Sequence, residues 1–216
     1  MSVTVGMLFV AGLSLFVSGS ASPPPVPEII GHVIKATIPD RPYSVTIEQT
    51  MTRQGKPPVK TRFDAKWNAE KGLVIQPDSV KVIAPSETPE ETGSDVQMGI
   101  DVAKYLRDML KWPDVTVAED SKDGKSCWRL SGTDPRGPAC RLWVDADRWC
   151  VTHLALDIQG KRFAEAVFEY RRVNSIAPAT DGQTEGYWLF STVTVHHALD
   201  GTRIMQEFAE YVFEKP

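Results

Sequence analysis

The sequence predicts an α+β fold that is mainly antiparallel β, a strongly curved half-barrel sheet with helices packed in its concave face. Three observations lead there. Much of the 216-residue chain alternates apolar and polar side chains with the period of two that marks half-buried strands. These runs follow one another in series, joined by short Asp-Gly, Gln-Gly and proline-rich segments of the kind that close hairpins. Helical spacing recurs in only two places, and a flat sheet would leave its apolar side in water, so the sheet must curl and bury one face.

Residues 5–17 (VGMLFVAGLSLFV) are apolar without a charge and lead into the small residues Ser18, Gly19, Ser20 and Ala21. This is the pattern of a secretory signal's apolar core and cleavage region, although the first four residues carry no Lys or Arg. The run is shorter than the roughly 20 residues a membrane span needs, and no later segment approaches that length. The expected organisation is a signal peptide over 1–21, a proline-rich leader over 22–27 and a single domain over 28–216. The mature chain is expected to be released into a periplasm or secreted, peripheral to a membrane at most and monomeric. No Cys stands near the cleavage region to take a lipid. A formal charge of −4 and a pI near 5.6 supply no basic field for nucleic acid.

Past the stiff Pro23, Pro24 and Pro25, the residues Ile29, Ile30, Val33 and Ile34 recur at helical spacing between Pro27 and Pro39, which predicts a short amphipathic helix. The period then changes. Tyr43, Val45, Ile47, Gln49 and Met51 share one face of a strand, and after a Gly-Lys-Pro-Pro turn Val59, Thr61, Phe63, Ala65 and Trp67 share a face of the next. Short strands over 73–76 and 80–84 continue the meander. A second helix is predicted over 95–111, with Ile100, Ala103, Leu106, Met109 and Leu110 on one side and Trp112-Pro113 ending it. Further strands follow over 114–118, 126–130, 140–145, 150–158, 162–171, 186–197 and 202–213.

This order of parts resembles the lipoprotein-carrier superfamily of bacterial envelopes, the LolA/LolB/RseB-like fold. The residues that carry the resemblance are Arg141-Leu142-Trp143-Val144-Asp145 with its turn, the strand Val151 to Gly160 ending in Asp157-x-x-Gly160, and Phe168-Glu169-Tyr170-Arg171. Carriers also have an Arg-Pro pair after the third strand. The stretch 67–76 here has no arginine, so no residue inherits a lipoprotein-release role. The resemblance implies a cavity between sheet and helices that takes a lipid, an acyl chain or a lipoprotein. From alternation the candidate liners are Tyr43, Val45, Ile47, Phe63, Trp67, Leu73, Ile75, Val82, Leu106 and Met109, each of which could equally be ordinary core. The alternative is a non-transporting interaction or sensor module that pairs with envelope proteins through its outer sheet face or an exposed edge strand.

No cofactor, metal or enzymatic activity is expected. There is no Gly-x-Ser-x-Gly, no protease-like setting around Cys127 or Cys150 and no glycine-rich phosphate cradle. His153, His196 and His197 with Asp145, Asp147 and Asp157 offer metal-type ligands, but adjacent His196 and His197 point to opposite faces of a strand. Asp145 and Asp147 read as turn residues rather than a glycosidase pair. In an oxidising compartment Cys127 and Cys140 are the pair expected to bridge across a hairpin, leaving Cys150 free; the alternative is three unpaired thiols.

Overall fold

A computed structural model describes residues 22–83, 102–135, 137–174 and 186–214. The proposed signal peptide and residues 95–101 of the second helix lie outside them. Helix α1, Val26–Thr37, starts two residues earlier than expected and takes in Val26 and Pro27 from the proposed leader. Pro27 is tolerated because the N–H groups of a helix's first turn have no intrahelical partner to lose. Ile29, Ile30 and Val33 are buried on its apolar face.

Among the described residues, eleven strands form one open, wholly antiparallel sheet. They are β1 (Tyr43–Thr52), β2 (Val59–Asn68), β3 (Gly72–Ile75), β4 (Lys81–Val82), β5 (Thr116–Lys122), β6 (Lys125–Thr133), β7 (Ala139–Asp145), β8 (Val151–Ile158), β9 (Lys161–Asn174), β10 (Gly186–His197) and β11 (Arg203–Phe213). The spatial order is β3-β2-β1-β11-β10-β9-β8-β7-β6-β5, with β4 against β2. A meander would leave β1 and β11 as distant edges; instead the last strand zips onto the first, Thr52 opposite Arg203 through Tyr43 opposite Phe213. The result is a half-barrel with edges at β3/β4 and β5. The strand expected over 114–118 forms two residues later and runs on to Lys122.

Helix α2, Val102–Met109, buries Val102, Leu106 and Met109, worth roughly 1.5–3 kcal/mol per fully buried side chain of this size. Its exit is anchored to the sheet. Asp114 Oδ1 accepts from Thr133 N–H at 3.0 Å, and Trp112 and Val115 lie so close over Gly132 that a Cβ there would meet Val115 Cγ2 at 2.9 Å and Trp112 Cε3 at 3.1 Å. Glycine at this strand position is what lets the connection lie flat. Helix α1 is held from two sides: His32 stacks on Trp149 of the β7–β8 turn at 4.4 Å, and Tyr187 on β10 donates its hydroxyl to Asp40 Oδ1 at 2.8 Å just past the helix. Both helices share one hydrophobic core with the concave face of the sheet.

The cysteines do not pair as expected. Cys127 stands opposite Asp145 and Cys140 opposite Gly132, at opposite ends of the β6–β7 hairpin. They also face opposite ways, Cys140 into the main core and Cys127 into a small outer cluster with Trp143 and Ala155. A disulfide needs Cα atoms within about 7 Å, and five register steps of about 3.4 Å come to more than twice that. All three thiols are free and buried.

Candidate functional site: an apolar cavity under the two helices

A cavity of about 390 Å³ lies between the helices and the concave face, toward the end of the sheet that carries the β2–β3 turn. Its roof is Ile34, Thr37 and Ile38 from α1 and Val102, Ala103, Leu106 and Arg107 from α2. Its floor is sheet: Tyr43 and Ile47 from β1, Gln206 and Phe208 from β11, and Leu189, Phe190 and Val193 from β10. Trp67, Asn68, Ala69, Gly72 and Leu73 close one side, Tyr170 and Trp188 the other. Ala69 and Arg107 are exposed, so the cavity reaches the surface between the β2–β3 turn and α2.

Aromatic rings build both walls. Tyr43 is paired across the strands with Trp67 on one side and Phe213 on the other, and its ring stacks on Trp67 at 5.4 Å and meets Phe213 at 5.8 Å. Phe190 is surrounded by Phe168, Tyr170 and Phe208 at 5.7, 5.0 and 5.6 Å. Trp188, Leu189 and Phe190 are consecutive yet all line the cavity, which a regular pleat forbids. The β9–β10 register slips between Phe190 and Thr192, and such a bulge re-aims the side chains beside it.

The polar groups in the lining are few and fixed. Burial pushes the phenols of Tyr43 and Tyr170 well above their ordinary range, so both are neutral hydroxyls at physiological pH. Gln206 donates from Nε2 to Gln49 Oε1 at 3.0 Å, both residues being 2 % exposed. Behind Trp188, the guanidinium of Arg148 lies 5.6 Å from the indole and is held by Asp145 through Nε at 2.9 Å and Nη2 at 2.7 Å.

Of the ten liners expected from sequence, Tyr43, Ile47, Trp67, Leu73 and Leu106 border the cavity. Val45, Phe63 and Met109 do not; they are on the right face but sealed in core. Ile75 packs against the core without reaching the cavity, and Val82 is 40 % exposed on the two-residue edge strand β4. Missed were Arg107 and Gln206, which polarity disguised, and Tyr170, Trp188 and Phe190, whose inward direction depends on sheet curvature and the bulge. The only sequence signal for the last three is their aromatic density.

Nothing here is arranged for metal binding: no group of three or more His, Cys, Asp or Glu side chains converges among the described residues. His196 and His197 occupy successive positions of β10, paired with Glu165 and Ala164. Asp145 is a turn residue whose Oδ1 accepts from the N–H groups of Asp147 and Arg148 at 3.0 and 2.9 Å. No helix among the described residues is long and apolar enough to cross a membrane.

The fold is that of the LolA superfamily. A LolA superfamily protein from Nitrosomonas europaea superposes with a TM-score of 0.52 at 12% identity, over 88% of this chain and 94% of that one. A DUF1329 family protein from Desulfovibrio piger superposes with a TM-score of 0.50 at 13% identity, over 88% of this chain and 92% of that one. No protein-family model matches the sequence, and no curated protein matches it either. At these identities the likeness is one of architecture, and function has to be argued from the cavity.

Proposed function

We propose that this chain is an exported cell-envelope protein that binds an apolar ligand, a lipid, acyl chain or lipidated partner, in the cavity beneath α1 and α2, as a carrier or binding protein rather than an enzyme. The observation that carries this reading is the cavity itself. Single-domain cores are packed as densely as organic crystals and leave few voids larger than a water molecule, whereas this one retains about 390 Å³ walled by Trp67, Leu73, Leu106, Phe190 and Phe208. Burial of apolar ligand surface there is worth about 25 cal/mol per Å², and the tyrosine hydroxyls and Gln206 orient what enters. The LolA-type fold and the signal-like residues 5–17 support placement in the envelope.

Native mass spectrometry with lipid extraction, on protein purified gently from an envelope fraction, tests the reading. Co-purifying acyl lipid or lipoprotein is the expected result. A ligand-free mass, with no uptake of an added fatty acid, would shift the balance to the second reading, an interaction module. What favours that reading is strand β5, which among the described residues pairs with β6 alone and leaves its outer edge without a strand partner.

A further inference from the structure

We propose that the cavity's ligand is a single-chain amphiphile with an anionic head, and that Arg107 is the head-group receptor at the mouth. The inference rests on the apolar-ligand reading and adds the charge and size of what is bound. Among the described residues that line the cavity, Arg107 is the one that carries a full charge, and none of them is a carboxylate. The two lysines nearest in sequence lean on one carboxylate: Lys104 Nζ on α2 lies 2.6 Å and Lys111 Nζ, just past the helix, 4.0 Å from Asp108 carboxylate oxygens. Arg107, by contrast, makes no ion pair among the described residues. The other arginine at this wall, Arg148, is committed to Asp145.

A guanidinium with no ion pair among the described residues, at the open end of an apolar chamber, suits one kind of molecule. The chain goes inward, where Leu73, Leu106 and Phe190 exclude water, and the head stays at the rim, where the guanidinium presents a planar fork to two oxygens of a carboxylate or phosphate. Because α2 supplies both Leu106 and Arg107, apolar wall and cationic rim are adjacent in sequence and rigidly spaced. The volume sets the number of chains. About 390 Å³ is near the bottom of the roughly 300–1,000 Å³ range of small-molecule sites, room for one chain and too little for a multiply acylated lipid.

The test displaces a neutral fluorescent probe, N-phenyl-1-naphthylamine, from the whole mature chain with laurate, dodecyl phosphate or dodecanol. The anionic compounds are expected to compete at concentrations at least about tenfold below the alcohol, equivalent to about 1.4 kcal/mol. Arg107→Gln should abolish that preference, bringing laurate and dodecyl phosphate down to the potency of dodecanol, and Arg107→Lys should restore part of it. The order of laurate and dodecyl phosphate tells a fatty-acid head from a phosphate head. Equal competition by dodecanol, or an anion preference that survives Arg107→Gln, would overturn the head-group assignment while leaving the cavity reading standing. Failure of the probe itself to bind would overturn both.

Discussion

Gln206 on β11 and Gln49 on β1 stand directly opposite each other and share a hydrogen bond, Nε2 to Oε1, at 3.0 Å inside the core. Each amide would be costly to bury alone, and together they mark the seam where the last strand meets the first. Leaving one buried amide without this partner costs about 1–3 kcal/mol, whereas removing both can be nearly neutral. Gln206→Leu and Gln49→Leu are therefore each expected to lower stability by that amount, with the double variant less destabilised than the sum. Urea unfolding of the four proteins in a double-mutant cycle checks this, and strict additivity would show the two amides act independently.

Asp145 holds the β7–β8 turn, whose Trp149 in turn meets His32 on α1. Burial alone would raise its carboxyl pKa, but the hydrogen bonds from Arg148, aided by the Asp147 N–H, outweigh it and hold the carboxyl below its usual range. Stability from this group is thus complete above the ordinary carboxylate pKa and lost as pH falls through the lowered value. Asp145→Asn is expected to cost about 1.5 kcal/mol, the low end for a charged hydrogen bond, because the Arg148 side chain is 33% exposed. Thermal unfolding at neutral pH measures it.

His153 on the outer face is 8% exposed, with Nε2 3.2 Å from Asp123 and its ring edge-on to Trp143. Burial, and then Lys122, lower its pKa against the opposing pull of Asp123 and Glu165. A histidine depressed in the folded state binds its proton more readily when unfolded, so its contribution is full above the unfolded value of about 6.5 and is lost as pH falls through the folded pKa. Urea midpoints should fall between about pH 7.5 and pH 5.5, and His153→Gln should flatten that slope. An unchanged slope in the variant would assign the effect elsewhere.

Cys140 and Cys150 have thiol pKa values pushed up to about 12 by burial, and burial raises that of Cys127 as well. An Ellman titration under oxidising conditions should find no reactive thiol in the folded protein and all three after denaturation. Recovery of a single thiol from the denatured, unreduced protein would restore the bridge that the β6–β7 register denies.

The periodicity of the chain made the architecture legible because antiparallel strands joined by short turns write their own order. Asp123-Gly124 and Gln159-Gly160 fall at hairpin apices with both residues at positive φ, as the turn chemistry requires. Alternation also found the inward face of β1 and β2, but not depth along it. Ile47 and Val45 look alike in sequence, yet one borders the cavity and the other is sealed in core. Pattern could not find Phe190, because a bulge breaks the period just where it matters, nor Arg107, which sits among charges that suggest an ordinary solvated helix face. The cysteine expectation failed because proximity in a hairpin was inferred without its register. The closure of β11 onto β1 was equally illegible, since nothing local in Tyr43–Thr52 encodes a partner so far along the chain.

The central claim is that the cavity under α2 binds an apolar ligand, and the most direct measurement is saturable fluorescence enhancement of N-phenyl-1-naphthylamine by the wild-type protein and by Ala103→Trp. Ala103 lines the cavity from a half-buried position on α2, so an indole there fills the space with little disturbance to the core. The account predicts saturable binding by the wild type and a loss of at least about tenfold in affinity in the variant, about 1.4 kcal/mol, with its melting temperature preserved. No saturable binding by the wild type, or equal binding by a folded Ala103→Trp protein, would contradict it.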